Sequence, residues 1–164
     1  MLNSADIVIL SNGPGELTTW VYPVLRELNK SLERDRALNV RISIVLSPCT
    51  NASGQEAAIA HTYPGVNRVV PSEHFWQFLL WGRTPNQAWD WHDKGVVIFL
   101  GGDQIFPVTI GKRLGYQTIV YAEWEARWPG LIDHFALRNE SVAARIPKKF
   151  QYKSQIVGDL MVDR

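Results

Sequence analysis

The chain has 164 residues, 46% of them hydrophobic and 20% charged, a length and composition suited to one domain with a proper core. Seventeen basic against sixteen acidic side chains leave a formal charge of +1, so nothing in the balance asks for nucleic acid, and any basic surface must be local. The single cysteine, Cys49, excludes an internal disulfide, the start "MLNSADIVIL" lacks a secretory signal, and no run of about 18 apolar residues occurs. These features describe a reducing, cytoplasmic setting without a membrane span.

Asp6 to Leu10 is the first strand-like run, and it leads directly into "SNGPGEL", residues 11 to 17. Two glycines and a proline between an apolar run and an amphipathic segment predict a sharp turn. Behind it, Leu17, Trp20, Val21, Val24, Leu25, Leu28 and Leu32 recur at helical spacing, while Arg26, Lys30, Glu33 and Arg34 fall away from that stripe. Pro23 is tolerated if Thr19 caps this helix, because only the first intrahelical hydrogen bond is then lost. Strand-like runs follow at Val40 to Leu46 and Val66 to Val70.

Next comes "SEHFWQFLLWG", residues 72 to 82, where Ser72 can cap a short helix whose apolar residues cover nearly every side. Core packing uses one side only, so Trp76 and Trp81, with Trp89 close behind, are candidates for an apolar patch that meets a membrane surface or a lipid chain; aromatic core packing is the alternative. Residues 82 to 95, rich in turn formers, read as a flexible excursion.

Val96 to Leu100 is another strand, followed by "GGDQIFPVTIGKRLG". With Asp103 as N-cap, Pro107 stands four residues on, as Pro23 does after Thr19, and Gly115 is placed to end the helix. Strands at Thr118 to Tyr121, His134 to Leu137 and Gln155 to Val157 complete the chain. Most runs are β-branched and nearly continuous in apolar residues, as in strands buried on both faces. Strand, tight turn, helix, strand is the right-handed crossover unit, so the α/β pattern predicts a doubly wound, Rossmann-like parallel sheet with helices on both faces, forming a single domain over residues 1–164.

Ligands of such sheets bind at the carboxyl ends of the strands, which singles out three turns. The first holds Asn12, Gly13, Gly15 and Glu16, where glycines let the backbone approach a ligand and free amides favour an anion or a polar sugar group. It is a poor dinucleotide fingerprint, since Thr18 stands where a third glycine belongs and no acidic residue ends the second strand. Glu16 either caps the helix or meets a substrate hydroxyl. The second turn holds Gly102 and Asp103, the latter either an N-cap or a base for a substrate hydroxyl. The third, "YAEWEARW" at 121 to 128, places Glu123, Glu125 and Arg127 beside Trp124 and Trp128, an arrangement that suits a sugar or else packs as an amphipathic loop. His61, His74, His92 and His134 show no metal-ligand spacing, no "GxSxG" elbow occurs, and neither a metal site nor a cofactor is expected. Lys148, Lys149 and Lys153 form a modest basic cluster, most simply a solvated face.

The two glycine turns, "YAEWEARW" and the ending "IVGDLMVDR" together resemble lipid-A-disaccharide synthase and related GT-B glycosyltransferases. "GPGEL" stands for the family's "GExSGD"-like loop. "FLGGDQIFPVTIGKRLG" follows the strand, "IDxPDFN"-like turn and helix, with Asp103 matching the first aspartate and Phe106 standing at the second. "VYAEWEARW" is similar to a "YYVSPQVWAW"-like strand end through Tyr121 and Trp124 or Trp128, and "VGDLMVD", Val157 to Asp163, is similar to "VGHPLVD".

The resemblance implies an inverting, metal-free sugar transfer in which a carboxylate of this domain, Asp103, deprotonates a lipid-linked acceptor while a second domain holds the nucleotide-sugar donor. It further implies that these residues are the N-terminal, acceptor-binding half, the donor-binding domain being absent from this chain. The chain is then either a piece of a longer protein or one subunit of a split enzyme, peripheral at the inner face of the membrane. A nucleotide-sugar epimerase half and a non-catalytic module recruiting a partner to the membrane remain as alternatives.

Overall fold

A computed structural model describes residues 3–35 and 37–162; Asp163, the last residue of the "VGDLMVD" stretch, lies outside them. Seven strands form one sheet: β1 (Asn3–Ser11), β2 (Leu38–Leu46), β3 (Val66–Val70), β4 (Gly95–Phe99), β5 (Gln117–Ala122), β6 (His134–Leu137) and β7 (Ser154–Ile156). Every neighbouring pair is parallel, in the order β3-β2-β1-β4-β5-β6-β7. The expected doubly wound α/β sheet is therefore present, and all seven strand-like runs lie in it.

In β1 the buried run from Asp6 to Ser11 alternates between two cores. Val8 and Leu10 join the core with α4 (Phe75–Trp81), α5 (Ile105–Leu114) and α6 (Glu140–Ala143), while Ile7 and Ile9 face α2 (Tyr22–Arg34) and α3 (Glu56–Thr62). Period-two alternation with both faces covered is why the sequence is apolar at every step.

The first helix departs from expectation. It begins at Pro14, so that α1 (Pro14–Glu16), a π-helical turn (Leu17–Val21) and α2 form one run. Thr19 is inside this run and caps nothing. Pro23 has no N–H to donate, and the wider turn ahead of it absorbs the defect: the Tyr22 N–H reaches back to the Leu17 carbonyl. The Thr18 and Thr19 hydroxyls donate to the carbonyls of Pro14 and Gly15 at 3.0 and 2.8 Å. The buried stripe is as expected, with Leu17, Val21 and Leu25 fully enclosed.

Ser72 likewise caps no α-helix. It opens a 3-10 turn (Ser72–His74), and α4 starts after it. Phe75, Phe78 and Leu79 face the core, while Trp76, Leu80 and Trp81 on the outer half of α4 are 51%, 57% and 65% exposed.

Residues 82 to 95 are no loose excursion in their second half. The Arg68 guanidinium lies between the Trp89 and Trp91 rings, 4.4 and 4.5 Å from their centroids. Trp89 is thus partly buried against the core, which removes it from the outer patch. Between the two rings Asp90 meets Arg41, and the His92 N–H donates to Asp6 at 2.6 Å. Asp6, fully enclosed, also receives Arg41 at 2.8 and 3.1 Å and the Tyr116 hydroxyl at 2.9 Å, with Arg68 3.5 Å away. Burial works to raise the Asp6 carboxyl, but these donors outweigh it and hold the group below the usual carboxylate range. Asp6, Arg41 and Arg68, from three adjacent strands, clamp the amino edge of the sheet.

Candidate functional site

The opposite edge carries the cleft. β1 and β4 are neighbours, yet the chain leaves β1 toward β2 on one side and β4 toward β5 on the other, so the strand order reverses between them. Ligands of open α/β sheets bind at such a crevice. "SNGPGEL" follows β1 and "GGDQ" follows β4, and both line one cleft of about 600 Å³ together with the end of β2 and the loop after β5. The Ser47 N–H to Ser11 carbonyl and Leu100 N–H to Leu10 carbonyl bonds, both 2.8 Å, hold the three strand ends together.

Two glycines bring the backbone close to neighbouring side chains here, and the second also takes a positive φ. A Cβ on Gly13 would stand 2.8 Å from Glu16 Oε2 and 3.1 Å from Cys49 Sγ. Gly102, at φ 105°, would bring one to 2.8 Å from Ser47 Oγ.

Of the residues singled out in sequence, Asn12, Glu16, Gly102, Asp103, Glu123 and Trp124 line the cleft. Gly13 supports the turn without lining it. Gly15 does not line the cleft: it is exposed in the first helical turn, with no atom within 4 Å of an added Cβ. Trp76 stands outside but connects to the cleft, because Phe106 of the wall packs edge-on against Phe75 and Trp76 at 4.8 and 5.9 Å.

Four carboxylates line the cleft, and two are neutralised. Glu123 pairs with Arg138 at 3.0 Å, whose other arm holds Asp159 at 2.8 Å and whose guanidinium lies 5.2 Å from the Trp124 ring centroid. Glu125 pairs with Arg127. Gln104 stitches this loop to the glycine turn, donating to the Glu125 carbonyl at 2.8 Å and accepting from the Arg127 N–H at 2.7 Å. Glu16 and Asp103 have no cationic partner among the described residues.

α5 begins at Ile105, with Gln104 rather than Asp103 at the position before it. The Asp103 carboxylate still serves the helix start, Oδ1 accepting from the Ile105 N–H at 3.0 Å, and Oδ2 has no protein hydrogen bond among the described residues. Serving the helix start therefore occupies one oxygen of a side chain that also lines the cleft.

Trp20, Ser47, Tyr121 and Gln104 are lining residues that the sequence did not single out as site residues. Trp20 reads in sequence as one more member of the buried stripe; its proximity to a helix-interior proline is the one local signal that the phase shifts there. Burial holds the Tyr121 hydroxyl above the ordinary phenol range, so it stays protonated, donating to the Gly158 carbonyl at 3.3 Å and accepting from the Leu160 N–H at 3.4 Å. No group of three or more His, Cys, Asp or Glu placed to hold a metal occurs among the described residues, and none of their helices is long and apolar enough to cross a membrane. Searches against protein-family models and against curated proteins return no match.

Proposed function

We propose that this chain is the acceptor-binding half of a GT-B type glycosyltransferase, moving a sugar from a nucleotide-sugar donor to a hydroxyl of a lipid-linked sugar acceptor. One observation carries the reading: at the switch point of the sheet, two carboxylates without a cationic partner among the described residues, Glu16 and Asp103, share a cleft with the aromatic rings of Trp20, Phe106, Tyr121 and Trp124. Carboxylates and ring faces suit a polyhydroxylated, uncharged ligand. A diphosphate finds no free cation there, since Arg127 is paired with Glu125. In this reading the donor's phosphates are held by a second α/β unit facing the cleft. The segment after β7, tied to Tyr121 through Gly158 and Leu160 and to Arg138 through Asp159, runs at this same edge.

In the transfer, Asp103 Oδ2 accepts the proton of the acceptor hydroxyl, the oxygen forms a bond to the anomeric carbon, and the bond from that carbon to the diphosphate breaks as the nucleoside diphosphate leaves. Glu123, fixed by Arg138, and Glu16 orient the acceptor through its other hydroxyls. The lipid portion leaves over Phe106 and Trp76 toward the exposed outer half of α4. Arg83, exposed just after the end of that helix, meets lipid head groups at the inner face of the membrane.

The test is transfer of a labelled sugar by the protein together with its donor-binding half. Asp103→Asn should slow transfer about a hundredfold or more, and melting should be unchanged, because asparagine keeps the oxygen that accepts from Ile105. Transfer within a fewfold of wild type would remove Asp103 as the base. Robust transfer by the 164 residues alone would overturn the division into halves.

A further inference from the structure

Two polar atoms in the cleft wall are enclosed and have no partner among the described residues: the indole N–H of Trp20 and Oδ1 of Asn12. Folded proteins almost always satisfy such groups, and an orphaned buried donor is a standing cost to stability. The Trp20 ring does not reach its place by default. It sits in the π-helical turn, between the enclosed Leu17 and Val21, its ring centroid 5.5 Å from that of Tyr121 with the planes inclined at 66°. A π turn spaces side chains more widely than an α turn does, and such turns concentrate at functional sites. Here Pro23 accompanies the π turn, and the Thr18 and Thr19 hydroxyls bond the carbonyls of the first turn, so the geometry is held from both sides.

Building on the sugar-binding reading above, we infer that Trp20 is the residue that recognises the acceptor sugar in this cleft, its indole N–H donating to a ring hydroxyl, with Asn12 Oδ1 accepting from a hydroxyl alongside. A slight opening of the wall brings both atoms to the ligand and removes two unsatisfied groups at once. The pairing discriminates by charge: a neutral hydroxyl both accepts and donates, whereas a phosphate anion meets Asn12 Oδ1 and the cleft carboxylates with no unpaired cation among the described lining residues.

The indole N–H resonances of the ¹⁵N-labelled full chain test this directly. Assignment of Trp20 by Trp20→Phe is followed by titration with methyl hexopyranosides and N-acetylhexosamines, and separately with inorganic phosphate. The Trp20 resonance should move saturably with at least one sugar and not with phosphate. Trp20→Phe, which keeps the ring against Tyr121 and loses the N–H, should bind that sugar about fivefold more weakly. If the Trp124 resonance moves while that of Trp20 stays, the sugar-binding reading survives and the assignment to Trp20 is wrong. If no indole responds to any sugar, both fail. A Trp20 response to phosphate equal to that for sugars also overturns the inference. If Trp20→Phe folds poorly, triple-resonance assignment of the wild-type chain identifies the Trp20 indole, and the wild-type titration still decides the matter.

Discussion

Asp6→Ala tests whether the amino edge is held by charge. The carboxylate is fully enclosed and receives two arms of Arg41, the His92 N–H and the Tyr116 hydroxyl, with Arg68 at 3.5 Å. Its removal leaves Arg41 and Arg68, whose side chains are only 21% and 14% exposed, facing each other with Asp90 as their remaining acidic partner. Breaking a buried pair by deleting one partner costs about 3–5 kcal/mol, and for a domain of this size the melting temperature should fall on the order of 10 °C.

Thermal and urea unfolding at neutral pH give both numbers, and the double variant Asp6→Leu with Arg41→Met should regain much of the loss, since no isolated charge then remains inside. The pH dependence has a definite sign. The Asp6 carboxyl is lower in the folded state than its value of about 3.9 in an unfolded chain, so its stabilisation is complete above that value and is lost as pH falls through the depressed folded value. Asp6→Asn should flatten that acid limb. A loss below about 1 kcal/mol for Asp6→Ala would mean that the aromatic packing of Trp89 and Trp91, not the carboxylate, holds the edge.

Gly15→Ala should raise stability by about 0.4–1 kcal/mol and leave sugar affinity unchanged, because the residue is helical, exposed and has open space at its Cβ; denaturant midpoints and the indole titration measure the two effects. Gly102→Ala should do the reverse, lowering stability and binding together through its φ of 105° and the Ser47 contact. Sedimentation with anionic liposomes should fall when Trp76 and Trp81 are both changed to serine, with melting nearly unchanged since both rings are more than half exposed; a wild-type chain that ignores such liposomes would remove the membrane surface from the proposal.

The strands were legible because a doubly covered parallel strand must be apolar at every step, and Val66–Val70 and His134–Leu137 coincide with their runs to the residue. Two turns of the cleft were legible from glycine and position, and the third from its place after a strand and its mixture of aromatic and charged residues. The helix starts at Thr19 and Ser72 were not. Both readings assumed ordinary caps, whereas the chain uses a π turn ahead of Pro23 and a 3-10 turn ahead of Phe75, choices set by which side chains the core must receive. Asp6, Arg41 and Arg68 each interrupt an apolar run near its beginning, but their meeting depends on strand order and register, which one sequence does not display. Trp89 was misplaced for the same reason, since its partner Arg68 lies on a strand remote in the chain.

The Trp89 and Trp91 rings, with centroids 5.9 Å apart and planes inclined at 56°, have a further consequence in optical terms. Two indoles so close and so inclined couple their electronic transitions, and a coupled pair produces a paired circular-dichroism band that neither ring gives alone. Trp20 and Trp124 lie at the other end of the strands and respond through emission to whatever fills the cleft. The circular-dichroism couplet therefore reports on the amino edge, and the loss of emission change in Trp20→Phe and Trp124→Phe isolates the cleft contribution from that of the other tryptophans.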